Sequence, residues 1–203
     1  MGLFYNILII LTRQILKFIG LFNNKIKSGV TGRANTFKTL EKSISKNDTC
    51  IWFHCSSLGE YEQGLPVFKE IRKYYHNHKI VLTFFSPSGY EIRKNTDVAD
   101  LVVYLPLDTK QNAKHFLDII SPELVVFVKY DIWPNYLKEL NNRNHRAILI
   151  AALFRKNQFY FNWFGGFMRQ KLYAFEHIFT QDENSKVLLN SIDYSQVTVS
   201  GDT

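Results

Sequence analysis

Several short polar runs in this 203-residue sequence join residue types that can move protons or hold anions. Ser57-Leu58-Gly59-Glu60 has the spacing of a capping box, in which a serine and a glutamate three residues later satisfy backbone donors at a helix start. The same Glu60, at the mouth of a cleft, is a candidate general base. The two readings conflict, because a helix N-terminus lowers a carboxyl pKa and an efficient base needs a raised one. A base acting on a hydroxyl can still work through its position.

Ser86-Pro87-Ser88-Gly89 reads as a turn into a helix capped by Ser88. Gly89 would leave the first turn open to an anion such as phosphate, and a plain turn is the alternative. In Lys129-Tyr130-Asp131-Ile132-Trp133-Pro134-Asn135, Lys129 and Asp131 share a face if the preceding strand continues, and would then pair. Trp133 before Pro134 locks the turn. Arg155 closes an apolar run, and a guanidinium there suits phosphate or carboxylate. His54 ends an apolar run and reads as a core histidine. Cys50 and Cys55 read as small buried hydrophobes. The sequence has no P-loop, no H-E-x-x-H and no G-x-S-x-G, so neither a metal nor a resident cofactor is expected.

The elements that position these residues follow from periodicity. Short apolar runs at Cys50–His54, Lys79–Phe85, Leu101–Tyr104, Leu124–Val128, Ala147–Ala151, His177–Thr180 and Gln196–Val199 read as strands covered on both faces. Helical segments are predicted near 60–76, 88–96, 109–120, 131–143, 159–176 and 182–191. Such alternation implies an α/β fold with a Rossmann-like, doubly wound parallel sheet. Ligands bind such sheets at the carboxyl ends of the strands, where the polar runs fall. Segment 159–176 is densely aromatic and reads mostly as core, with an apolar patch for lipid or a partner as a further use.

The chain is 46% hydrophobic and 15% aromatic, which excludes disorder. Its net charge of +7 suggests nucleic acid, but the distribution argues against that partner. Residues 1–46 hold eight basic side chains against Glu41 alone, and the remaining residues hold 17 of each sign. Residues 1–22 form an apolar stretch whose uncharged run ends at Arg13, short of the roughly 20 residues a bilayer span requires. On a helix, Asn6, Arg13, Lys17 and Asn24 share one stripe. A wide apolar face with a thin basic stripe suits a helix lying in a membrane interface, with anionic headgroups meeting Lys25, Lys27 and Arg33. A buried core helix is the alternative. The expected organisation is an anchor helix over 1–27, a basic connector over 28–49 and a sheet domain over 50–203.

In order, the motifs resemble the 3-deoxy-D-manno-octulosonic acid (Kdo) transferases of lipopolysaccharide synthesis. They are Gly32-Arg33; Trp52, His54, Ser57, Gly59 and Glu60; Thr83 with Ser86 to Gly89; Tyr104 to Asp108; Trp133 to Asn135; Gln181, Glu183 and Ser185; and Val197 to Gly201. The resemblance implies the acceptor-binding half of an inverting, metal-free GT-B glycosyltransferase, which moves Kdo from CMP-Kdo to a lipid A precursor. It puts Glu60 on the catalytic base. It places acceptor binding around Arg33, Ser57, Gly59, Ser86, Ser88, Gly89, Lys129, Asp131 and Arg155. It also implies the cytoplasmic face of the bacterial inner membrane, with an anionic membrane surface as a partner. Two positions depart from the family pattern: Lys129 stands where many members have an acid, and Ala152-Leu153-Phe154-Arg155 where many have N-A-R-L-S. The donor-binding domain, which would hold most of the CMP-Kdo, is expected beyond residue 203, and this chain alone is expected to be inactive. The alternatives are another GT-B or nucleotide-sugar protein, such as an epimerase-like half, and a non-catalytic membrane-attached module.

Overall fold

The computed structural model describes residues 2–202. Met1 and Thr203, the outer bounds expected for the anchor helix and the sheet domain, lie outside the described residues. Seven strands form one sheet: β1 (Cys50–Cys55), β2 (Lys79–Phe84), β3 (Leu101–Tyr104), β4 (Pro122–Val128), β5 (Arg146–Ala152), β6 (His177–Thr180) and β7 (Val197–Val199). All neighbours pair in parallel, in the order β3-β2-β1-β4-β5-β6-β7. The order reverses between β1 and β4, and such a switch point leaves a crevice at the strands' carboxyl ends.

Both faces of the sheet are covered, which is why the strands read as continuous apolar runs. Side chains still alternate. Cys50 and Trp52 of β1 pack into one core layer with Val81, Val125 and Phe127. Ile51, Phe53 and Cys55 pack into the other with Ile80, Leu82 and Val126. Both cysteines are buried free thiols.

The helices are α1 (Gly2–Ile19), α2 (Asn24–Ser43), α3 (Leu58–Tyr74), α4 (Pro87–Arg93), α5 (Lys110–Ile120), α6 (Pro134–Asn142), α7 (Gly166–Leu172) and α8 (Glu183–Asn190). The helix predicted over 159–176 is broken. A 3-10 turn spans Phe159–Phe161, and α7 begins only at Gly166. A Cβ on Gly165 would fall 1.7 Å from the Phe159 carbonyl oxygen. The chain therefore folds back on itself at a point only glycine can occupy.

The helix predicted across 1–27 ends at Ile19, and Asn23 caps α2 by accepting the Ile26 N–H at 3.1 Å. Asn24 therefore leaves the stripe, and most of the expected connector is helix. Thr36 and Leu40 of α2 are buried, and Thr36 Oγ1 donates to the Tyr104 carbonyl at 2.8 Å.

No residue of α1 is buried, so the core-helix alternative fails. By length and composition α1, with Arg13 and Lys17 included, is long and apolar enough to cross a membrane, so the reading of this stretch as too short for a span does not hold. Its polar side turns toward the protein. Tyr5 Oη donates to Asp108 Oδ2 at 2.6 Å, and Asn135 Nδ2 donates to Asn6 Oδ1 at 3.0 Å. Asp108 also accepts the Asn135 and Tyr136 N–H groups at 3.0 Å each, capping α6. The Asp108 and Asn135 positions noted in the sequence are thus joints between the apolar helix and the sheet.

Candidate active site at the sheet switch point

β1 ends at Cys55, and the chain turns through Ser56 and Ser57 into α3. The capping box forms as its spacing predicts: Glu60 Oε2 accepts the Ser57 N–H at 3.1 Å. The same oxygen also accepts the Ser56 N–H. Glu60 is half-buried and sits beside Gly59, which is exposed and has open space where a Cβ would stand. A ligand can approach the backbone there.

From the neighbouring strand, β4 stops at Val128 and Lys129 takes φ +66°. The strand therefore does not continue, and the expected Lys129–Asp131 pair is absent among the described ion pairs. The left-handed residue swings Asp131 across the switch point to the end of β1. There Asp131 Oδ2 accepts the Ser56 N–H at 2.9 Å, and Oδ1 accepts the Ser56 hydroxyl. Asp131 is 5% exposed. Two carboxyl groups, one from each side of the crevice, thus meet at a single serine.

Burial raises the Glu60 pKa, and the Ser56 and Ser57 N–H groups, a hydrogen bond from Asp131 and the Lys129 charge restrain the rise. Burial, and then the charge of Glu60, push Asp131 well above the usual carboxylate range. His54 lies beneath them, fully buried. Its Nδ1 is 2.7 Å from Thr83 Oγ1, and its Nε2 is 3.4 Å from Asp131 Oδ2, outside hydrogen-bonding alignment. Burial lowers its pKa to about 3, so the imidazole is neutral. His54 is a core histidine, as read. Among the described residues no His, Cys, Asp and Glu cluster could hold a metal ion.

The other expected residues divide. The guanidinium of Arg33 lies 4.3 Å over the Phe85 ring and donates to the Phe85 carbonyl, while its Nε is buried without a partner. Phe85 in turn contacts Trp133 (4.9 Å between ring centroids), and Trp133 contacts His54 (5.6 Å), so Arg33 joins the site through an aromatic wall. Sequence reading missed Phe85, although it immediately precedes the noted Ser86. Ser86, not Ser88, caps α4: its Oγ accepts the Ser88 N–H at 3.3 Å, because Pro87 takes the first helical position. Gly89 is not open space, since a Cβ there would meet the Phe84 ring at 2.4 Å. Arg155 is exposed at the end of β5 and has no ion pair among the described residues.

Residues 31–203 match the family described as 3-deoxy-D-manno-octulosonic-acid transferase (kdotransferase). A bifunctional glycosyltransferase/methyltransferase of Fusobacterium nucleatum is 33% identical over 56% of this chain and 18% of its own. The 3-deoxy-D-manno-octulosonic acid transferase of Aquifex aeolicus is 31% identical over 57% of this chain and 34% of its own. That of Chlamydophila psittaci is 30% identical over 74% and 36%. The chain thus spans only about a third or less of the length of these curated relatives. Among solved structures, a UDP-GlcNAc 2-epimerase from Neisseria meningitidis superposes with a TM-score of 0.54 at 18% identity, over 77% of this chain and 46% of that one. Another UDP-N-acetylglucosamine 2-epimerase gives 0.57 at 13%, over 77% and 49%. At these identities the likeness concerns the fold alone.

Proposed function

The chain belongs to the 3-deoxy-D-manno-octulosonic-acid transferase family, and from that premise we propose that it is the acceptor-binding part of a glycosyltransferase using CMP-Kdo and a lipid A precursor. The reaction is an inverting displacement. An acceptor hydroxyl attacks the anomeric carbon of Kdo, the bond to CMP breaks, and Glu60 takes the hydroxyl proton. The observation that carries this reading is Glu60 itself: a half-buried carboxyl with a raised pKa, at the switch point and beside the open backbone of Gly59. The acceptor's phosphates would meet cations on the same side of the sheet. Arg13, Lys17 and Arg33 line a groove of about 490 Å³ between α1 and α2, whose other walls include Ile10, Leu16, Val30 and Phe37. Lys129 and Arg155 stand at two further strand ends. The exposed apolar face of α1 and the basic residues that follow it support binding at the cytoplasmic face of the inner membrane.

Glu60→Gln tests the assignment. Glutamine still accepts the Ser56 and Ser57 N–H groups, so the fold should hold while transfer falls by about 10²- to 10⁴-fold, the range for losing a general base. The assay follows Kdo transfer by the gene product from CMP-Kdo to a lipid A precursor. Transfer near the wild-type rate would leave Glu60 as a helix cap only.

A further inference from the structure

Glu60 and Asp131 direct two carboxyl groups at one backbone donor. The Ser56 N–H is shared between Glu60 Oε2 and Asp131 Oδ2, and the Ser56 hydroxyl fills Asp131 Oδ1. Two carboxylates this close cannot both stay charged without a cation between them. The described hydrogen bonds and ion pairs place no cation between them. His54 of β1 is neutral beneath Asp131, and the Cys55 thiol, its pKa pushed up by burial, is also uncharged. Lys129, from the loop after β4, acts on Glu60. The Ser57 N–H and the N-terminus of the 17-residue α3 also favour negative charge on Glu60.

From this geometry we propose that Glu60 and Asp131 share one proton at neutral pH, that it resides on Asp131, and that Asp131 is a positioning residue which holds Glu60 ionised and oriented by donating to it. When Glu60 takes the acceptor's proton, the pair holds two. One then leaves to water through Glu60, the less buried partner, which restores the starting state. The catalytic part of this inference rests on Glu60 being the base; the shared proton does not.

The test is an infrared titration of the carboxylic-acid C=O stretch in the wild type, Asp131→Asn and Glu60→Gln. The expected wild-type signal at pH 7 is one buried protonated carboxyl, which Asp131→Asn removes. Glu60→Gln keeps that signal but moves its loss to lower pH, because the like charge is gone. Absence of the signal in the wild type, or its persistence in Asp131→Asn, overturns the proposal. If Asp131→Asn does not fold, an unshifted titration in Glu60→Gln overturns it equally. In transfer assays Asp131→Ala should lower kcat by about a hundredfold and Asp131→Asn, whose amide replaces the donated proton, should recover it to within about tenfold of wild type; equal kcat in the two variants would refute the positioning role. Wild-type transfer by Glu60→Gln sinks the base assignment and leaves the infrared result standing.

Discussion

Glu60 combines two roles that its spacing sets in opposition. It closes a capping box, which should lower its pKa, yet burial dominates and raises it. Asp131, more deeply buried, is raised further, and the sign of its effect on stability follows. Well below pH 4, the group is protonated in both the unfolded and folded chain and costs nothing. As pH rises above that value the unfolded chain ionises first, so stability falls until the folded pKa is passed. Asp131→Asn should therefore flatten the pH dependence between pH 4 and 7, so that the wild type's stability relative to the variant is greatest at acid pH and declines as pH rises, as read from urea midpoints. An unchanged slope would mean that Asp131 ionises normally. Other carboxyls, such as Asp48 and Asp100, shift downward and tilt the curve the opposite way, so the difference between variants is the informative quantity. The sequence showed that Glu60 lies at a helix start and at a strand end. It did not show Asp131 as Glu60's partner, because that meeting spans 71 positions and depends on a left-handed lysine. The Lys129–Asp131 pairing predicted from strand alternation failed at that same residue.

The strands were legible because each is a short apolar run between turn signals, and two-sided burial leaves no other pattern. What was not legible were breaks imposed by close backbone approach, such as the one at Gly165, and the docking of α1 and α2. Gly32 illustrates the latter. A Cβ there would meet the Tyr104 ring at 2.3 Å, and that ring is buried and stacked on Tyr90 at 4.2 Å between centroids. Gly32→Ala gains helix propensity but overpacks this contact. A net loss of about 1–3 kcal/mol is expected from denaturant midpoints. No loss would mean that α2 can lift off the sheet freely. The α1 joint is polar. Burial raises the Asp108 pKa, while Tyr5, Asn135 and Tyr136 donate to its carboxyl and restrain the rise. Tyr5→Phe removes one of these donors, worth about 1.5–3 kcal/mol when the acceptor is charged. Faster amide exchange confined to α1, with the sheet's melting unchanged, is the expected outcome. Unaltered exchange in α1 would show that the joint does not hold it.

For the molecule as a whole, the +7 charge is local, and the structure sets that basic segment beside an apolar surface. α1 exposes Leu3, Phe4, Ile7, Leu8, Leu11 and Phe18, while Phe159, Trp163 and Phe164 project from the broken segment before α7. The two meet: Tyr5 and Phe167 lie 6.2 Å apart between ring centroids, and Phe4, Leu8, Phe159 and Phe164 line one apolar groove. An aromatic ring with a polar edge suits the headgroup region, and basic residues add roughly 1 kcal/mol each near an anionic surface. The chain's tryptophans separate cleanly for a test. Trp52 is fully buried, Trp133 is packed in the wall beside His54, and Trp163 is 94% exposed. A blue shift of emission on adding vesicles with anionic lipid therefore reports Trp163. The shift should vanish in Trp163→Ser, while cosedimentation weakens only in part, because α1 remains. Removing residues 2–22 should abolish cosedimentation. Retention of vesicle binding without α1 would transfer the anchoring role to the aromatic segment. A wild-type shift in Trp163→Ser would place the change at Trp133, inside the site, and refute a lipid contact at residue 163.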